Sequence, residues 1–343
     1  MKVIHTADVH LSSEHPERLE ALEEIIDLCK HEEADVLLIT GDLFDQNVNI
    51  EDLKTDVRPL FSDNSFETLV IPGNHDKSAF RQEDYFGEDI SVLQEKPYSQ
   101  EVFENINIVA LPYTDKDFSQ LVDTLSNPTM GDKKNILMIH CTLAGTSGSF
   151  GEESEYLPVR PSELVKTGFD YVLAGHIHSS ATRKTFGGTK FAYSGSPVSI
   201  SSSETGKREV WVIDTEEGME TRELDTFHYL KEKIELLPGE EKETEENLIS
   251  GFEGKDLDKA SVIVELNGFT EEVVEDVSKD IFSKIDDLKP KEVEIDISGL
   301  ESAASVVDSE IYTDFKDRLD EKEFENPALV EKKFLRGLSR YER

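Results

Sequence analysis

The sequence has little cysteine, no long apolar run and a marked shortage of basic residues, and each lack excludes something. Only Cys29 and Cys141 are present, too few for a disulfide framework. Cys29 falls on the apolar face of a predicted helix and reads as a small buried hydrophobe. No apolar run approaches the roughly 18 residues of a membrane span, so no membrane partner is expected. Met1 to Thr6 lead straight into a predicted strand, with no basic n-region or apolar h-region, and a cytoplasmic protein is the expectation. No internal repeat is visible.

Basic residues number 36 against 74 acidic ones, a formal net charge of -38. The acids are spread along the chain and interleaved with apolar periodicity, which excludes a disordered acidic tail as their source. A basic partner would suit such a surface, and so would a halophilic setting, where salt with a Debye length of about 3 Å at 1 M screens the self-repulsion. The halophilic reading is the one expected. Few cations are left to grip a nucleic-acid backbone: Arg81, Arg160, Arg183, Lys184, Lys190, Lys207 and Arg208.

What is present is a core. Hydrophobic residues make up 37% of 343 positions, enough for two domains of roughly 100–200 residues each. Short apolar runs predict strands at 2–7, 35–40, 68–71, 106–111, 135–140, 170–174, 190–193 and 208–214. Several are apolar throughout, as in Val36-Leu37-Leu38-Ile39, which suits α/β strands covered on both faces. Leu19, Leu22, Ile25, Ile26 and Cys29 predict an amphipathic helix between the first two strands, with Pro16 in its first turn. After Asp214 the pattern changes to strands at 229–237, 260–268 and 290–298 with helices at 243–251 and 270–288. The segment 144–155 is Gly/Ser-rich and reads as a loop. The expected division is 1–225, 226–308 and a helical segment 309–343 broken at Asn326-Pro327.

Five motifs fall at or just past the C-terminal ends of predicted strands, where α/β scaffolds place reactive groups. They are Asp8-Val9-His10, Gly41-Asp42, Gly73-Asn74-His75-Asp76, His140 and Gly175-His176-Ile177-His178. In an extended segment residues i and i+2 share a side, so Asp8 with His10, and His176 with His178, are expected to face one region together. Asn74 and His75 diverge, which predicts an amide ligand and an imidazole left for substrate. The donors are oxygen and imidazole without thiolate, suiting Mn²⁺, Fe²⁺ or Zn²⁺. Seven such donors exceed one tetrahedral ion and suit two ions that share a carboxylate and clamp a phosphoester.

At these residues the chain resembles the calcineurin-like metallophosphoesterases. More narrowly it resembles their DNA-repair exonuclease branch, the SbcD nucleases and the related meiotic-recombination nucleases. That narrower likeness rests on HTADVHL (5–11), GDLFD (41–45), GNHD (73–76), FDYVLAGHIH (169–178) and YSGSPVSISSSE (193–204), and beyond about residue 215 it is loose. The resemblance implies a four-layer α-β-β-α sandwich with a smaller α+β capping, DNA-binding domain and C-terminal helices. It implies that Asp8, His10 and His178 hold one metal, Asn74, His140 and His176 the other, with Asp42 bridging. His75 would contact the scissile phosphate, oriented by Asp76. The implied protein is a homodimeric Mn²⁺-dependent deoxyribonuclease, an exonuclease with endonuclease action left open. It would carry two divalent ions and take DNA as substrate and an ABC-type ATPase of the SbcC kind as partner. The alternative is a phosphatase or cyclic-nucleotide phosphodiesterase of the same fold acting on a small molecule or phosphoprotein.

The last segment carries two apolar stripes, Ile311, Phe315 and Leu319, then Val330, Phe334, Leu338 and Tyr341. A lone stripe in water needs a cover. The capping domain and the coiled coil of the ATPase are the two candidates.

Overall fold

The computed structural model describes residues 1–77, 79–80, 85–145, 156–304, 310–321, 324 and 326–341. Arg81 and most of the Gly/Ser-rich loop lie outside these residues. The chain forms two compact units, Met1–His228 and Tyr229–Arg343.

The first unit opens with β1 (Lys2–Thr6), α1 (Pro16–His31), β2 (Val36–Thr40), α2 (Ile50–Leu60), β3 (Glu67–Ile71) and β4 (Ile90–Val92). It continues through β5 (Ser99–Val102), β6 (Ile106–Ala110), α3 (Val122–Ser126), β7 (Lys134–His140), β8 (Thr142–Leu143), β9 (Pro158–Val159) and α4 (Pro161–Thr167). It closes with β10 (Tyr171–Gly175), β11 (Thr182–Phe186), β12 (Thr189–Tyr193), β13 (Glu209–Asp214) and β14 (Gly218–Glu223).

Two six-stranded sheets result, ordered β14-β13-β1-β2-β3-β4 and β11-β12-β10-β7-β6-β5. Three buried clusters fix the layering. Val36, Leu38 and Ile71 of the first sheet meet Ile108, Met138 and Leu173 of the second in the middle layer. Leu22, Ile25 and Ile26 of α1 cover the outer face of the first sheet with Leu37 and Ile39. Leu125 of α3 and Leu164 of α4 cover the second sheet with Leu137 and Val172. This is the expected α-β-β-α sandwich. It explains why the central strands are apolar on both faces. Cys29 is buried and free, as its place on α1 predicts.

The second unit carries β15 (His228–Leu236), α5 (Glu241–Phe252), β16 (Ala260–Thr270), α6 (Val274–Asp286), β17 (Glu292–Ser302), α7 (Glu310–Asp320) and α8 (Pro327–Tyr341). Its sheet runs β15-β16-β17. Leu248, Phe252, Val277, Ile281 and Ile285 of the helices pack on Val262 and Val264. The two terminal stripes meet each other, Phe315 stacking on Phe334 at 3.9 Å between ring centroids. Tyr312, Leu335 and Phe269 of β16 are buried with them. Ile311 remains exposed. The side chains of Leu338 and Tyr341 lie outside the described residues. No helix among the described residues is long and apolar enough to cross a membrane.

Candidate metal centre

The loops after β1, β2, β3 and β10 and the end of β7 converge on one edge of the two sheets. Beyond the strands, the first two loops stay zipped together. Asp8 N–H donates to the Gly41 carbonyl and His10 N–H to that of Asp42, both at 3.0 Å, and Leu11 N–H to Leu43 at 2.8 Å. The geometry within these loops departs from the sequence expectation. Asp8 (φ 55°), His10 (φ 53°), Asp42 (φ 52°) and His176 (φ 100°) are left-handed, not extended. Such residues cost about 1–3 kcal/mol each and persist where surrounding structure over-determines them. The side chains of Asp8 and His10 still meet, but through a curled backbone and not through strand alternation.

Close approach dictates the glycines. A Cβ on Gly41 would strike the His140 imidazole, one on Gly73 the Asp42 carboxylate, and one on Gly175 the Thr40 carbonyl oxygen.

Among the described residues, besides a group of His10, Asp45 and His75, the donor atoms form two clusters that have Asp8 in common. In the first, the His10 and His178 Nε2 atoms face each other at 3.2 Å, grouped with Asp8. In the second, His140 Nε2 lies 2.9 Å from Asn74 Oδ1 and is grouped with Asp8 and Asp42. Asp42 Oδ2 stands between them, 3.3 Å from His140 Nε2 and 3.9 Å from His10 Nε2. The other oxygen, Oδ1, accepts the His75 N–H at 2.8 Å. His176 stands edge-on to His140 with centroids 5.3 Å apart. Its nitrogens belong to none of the tight Asp/His groups among the described residues.

Hydrogen bonds behind the imidazoles fix their tautomers. His140 Nδ1 donates to the Thr40 carbonyl at 2.9 Å. His178 Nδ1 faces Glu204 Oε1 at 3.3 Å and His10 Nδ1 faces Asp45 Oδ1 at 3.5 Å. With protons on those nitrogens, the Nε2 atoms of neutral His10 and His178 present lone pairs that confront each other across their contact. A cation relieves that repulsion. Buried carboxylates, bare imidazoles and an amide oxygen fit two divalent ions.

The charges inside the site bear the same mark. Burial pushes the Asp8 carboxyl up to about 7 against the pull of His140 and His178. Burial also disfavours ionised Asp42, but His140, His10 and His75 outweigh it and hold that carboxyl below the usual range. Burial would lower His140, yet the Asp42 and Asp8 carboxylates push it up to about 9.

Among the described residues, no hydrogen bond joins Asp76 to the His75 ring. Its carboxylate accepts the Gly73 N–H at 2.7 Å and the Phe44 N–H at 3.3 Å, tying the loop after β3 to the loop after β2. The buried Nδ1 of His75 has no hydrogen-bond partner among the described residues. The nearest carboxylate recorded is Asp45, at 3.9 Å. Asp45 itself is held by Arg18 at 2.6 Å.

Asp45, Glu204 and Arg208 are the residues that sequence reasoning missed. Asp45 and Glu204 end two of the motifs, GDLFD and YSGSPVSISSSE, yet spacing alone does not say which imidazole each faces. Arg208, counted among candidates for gripping a backbone, is buried. It donates to the Ser196 carbonyl at 2.8 Å and to that of His178, so it braces the His178 loop.

Several solved structures are similar to this chain. A dimetal phosphatase from Danio rerio is 10% identical with a TM-score of 0.45, over 65% of this chain and 96% of that one. The protein TT1561 of Thermus thermophilus is 13% identical with a TM-score of 0.42, over 65% of this chain and 98% of that one. The purple acid phosphatase PPD1 from yellow lupin (Lupinus luteus) is 13% identical with a TM-score of 0.46, over 65% of this chain and 51% of that one. Residues 1–180 match the family described as calcineurin-like phosphoesterase. With that match over more than half its length, and a metal centre of this build on that stretch, the chain belongs to the calcineurin-like phosphoesterases.

Proposed function

We propose that this metal-dependent phosphoesterase is a DNA nuclease, cutting phosphodiester bonds with two Mn²⁺ ions. The observation that carries the reading is the Glu204–His178 pair. It gives the motif at 193–204, by which the chain resembles the SbcD branch, a physical task inside the metal centre. An all-oxygen-and-imidazole donor set supports Mn²⁺.

Asp8, His10 and His178 would hold one ion and Asn74, His140 and His176 the other, with Asp42 shared. Bound there, the ions supply Lewis acidity that polarises a phosphoester and activates water. The chain's own residues do the rest. Glu204 and Asp45 hold His178 and His10 by their Nδ1 atoms, and Thr40 does the same for His140. His75, edge-on to His10 at 4.9 Å, would donate a proton to the leaving oxygen. The second unit would bind DNA, and α7 and α8 would dock an ABC-type ATPase of the SbcC kind through surface such as exposed Ile311. A homodimer belongs to the same reading.

The net charge of -38 favours a second reading, a phosphatase or cyclic-nucleotide phosphodiesterase. The test offers purified protein, with Mn²⁺ in molar KCl, linear duplex DNA, single-stranded DNA, a cyclic nucleotide and a phosphopeptide. Turnover of either DNA well above the other two supports the nuclease. Turnover confined to the cyclic nucleotide or phosphopeptide replaces it with the second reading.

A further inference from the structure

A cavity of about 360 Å³ opens beside the metal centre, lined by Asn74, His75, Lys77 and Ala79 on one side and by the run Asp45–Glu51 on the other. Its size lies at the low end of the about 300–1,000 Å³ usual for small-ligand sites. Two of the lining residues belong to the centre itself, so whatever fills the cavity adjoins the reacting phosphate.

The electrostatics of the lining set it apart from the acidic surface around it. Its two carboxylates are matched by cations, Asp45 by Arg18 and Glu51 by Lys54. Lys77 is the one Lys or Arg in the lining, and no carboxylate pairs with it among the described residues. An aromatic holds it in place. Lys77 Nζ donates to the Tyr113 hydroxyl at 3.2 Å and sits 4.5 Å from that ring's centroid. Tyr113 in turn stacks on Tyr156 at 5.2 Å, and Tyr156 packs against His140 and His176. An exposed lysine thus stands at the mouth of the site with no carboxylate paired to it among the described residues.

We propose that this cavity is the subsite for the nucleotide on the leaving-group side of the scissile bond. Lys77 pairs with that nucleotide's further phosphate, and its base lies among the amides of Gln46 and Asn47 and the apolar Val48 and Ile50. The inference rests on the nuclease reading and deepens it. It also explains how so acidic a chain holds DNA, by one fixed cation at the point of chemistry and not by a basic surface.

The test compares a short single-stranded DNA oligonucleotide with bis(p-nitrophenyl) phosphate, which has no second phosphate, in the Mn²⁺-loaded protein. Lys77→Gln lowers the ratio of kcat/KM on the oligonucleotide to that on the small diester by about tenfold, through KM. It also reduces the slope of log affinity for the oligonucleotide against log salt by about 1. Lys77→Arg restores both. A ratio and slope that stay at the wild-type values overturn the subsite while leaving the nuclease reading intact. An equal loss on both substrates overturns it too, making Lys77 a prop for the Tyr113–Tyr156 stack. A wild-type protein that cleaves the small diester and no DNA removes the nuclease reading and this inference with it.

Discussion

Glu204 Oε1 stands 3.3 Å from Nδ1 of His178, while Oε2 of the same carboxylate accepts the Ile200 N–H at 2.8 Å. One side chain therefore closes its own loop and sets which imidazole nitrogen faces the metal centre. Burial opposes its ionisation, but His178, the Ile200 N–H and Arg208 keep its carboxyl below the ordinary range. Carboxylates behind metal-ligating histidines are worth about 10–100-fold in metal affinity. Glu204→Gln lowers Mn²⁺ affinity by that factor, measured by calorimetric titration, and leaves the fold in place. Wild-type affinity in this variant removes Glu204 from the metal centre.

Gly73 offers a steric test. Its absent Cβ leaves room for the Asp42 carboxylate, whereas nothing lies within 4 Å of a Cβ on Gly131. Gly73→Ala displaces Asp42 and loses both metal binding and about 1–3 kcal/mol of stability. Gly131→Ala stays within about 0.5 kcal/mol of wild type. Thermal unfolding and metal analysis of the two variants read the difference. Equal behaviour contradicts the packing described.

His75 and Asp42 fail in different ways. His75→Ala keeps its metals and melting temperature while turnover falls by on the order of 10²–10⁴. Asp42→Ala loses metal as well, since its Oδ2 faces both clusters. An emptied centre in His75→Ala would make His75 a ligand and end its assignment to the leaving oxygen.

Metal binding depends on pH with a definite sign. Without metal, burial holds a proton on Asp8 up to about pH 7, and the Asp42 and Asp8 charges hold one on His140 to about 9. Ligands must shed those protons. Mn²⁺ affinity therefore rises with pH through about 7 and on toward 9, and binding at pH 6 releases protons. Calorimetry in two buffers of different ionisation enthalpy counts them. Affinity independent of pH between 6 and 8 contradicts the buried-ligand picture.

The sequence announced the middle of each sheet and concealed the edges. Val36–Thr40 and Lys134–His140 are apolar because both faces are covered. By contrast Ile90–Val92, Ser99–Val102, Thr182–Phe186 and Gly218–Glu223 were not expected as strands. They lie at or near sheet edges, and a run such as Thr-Arg-Lys-Thr-Phe, exposed along most of its length, carries no apolar signal. The metal-centre residues were named by motif, but their backbone was not legible. Left-handed Asp8, His10 and Asp42 follow from the zipped loops, a pairing between segments more than 30 residues apart. The same distance hid Asp45 behind His10 and the bond from Phe44 N–H to Asp76.

Anomalous diffraction from crystals grown with Mn²⁺ would locate the ions themselves. Two metal peaks are expected, one against Asp8, His10 and His178, one against Asn74, His140 and His176, with the Asp42 carboxylate touching both. A single peak, or metal bound away from Asp42, would rule out the shared-carboxylate centre.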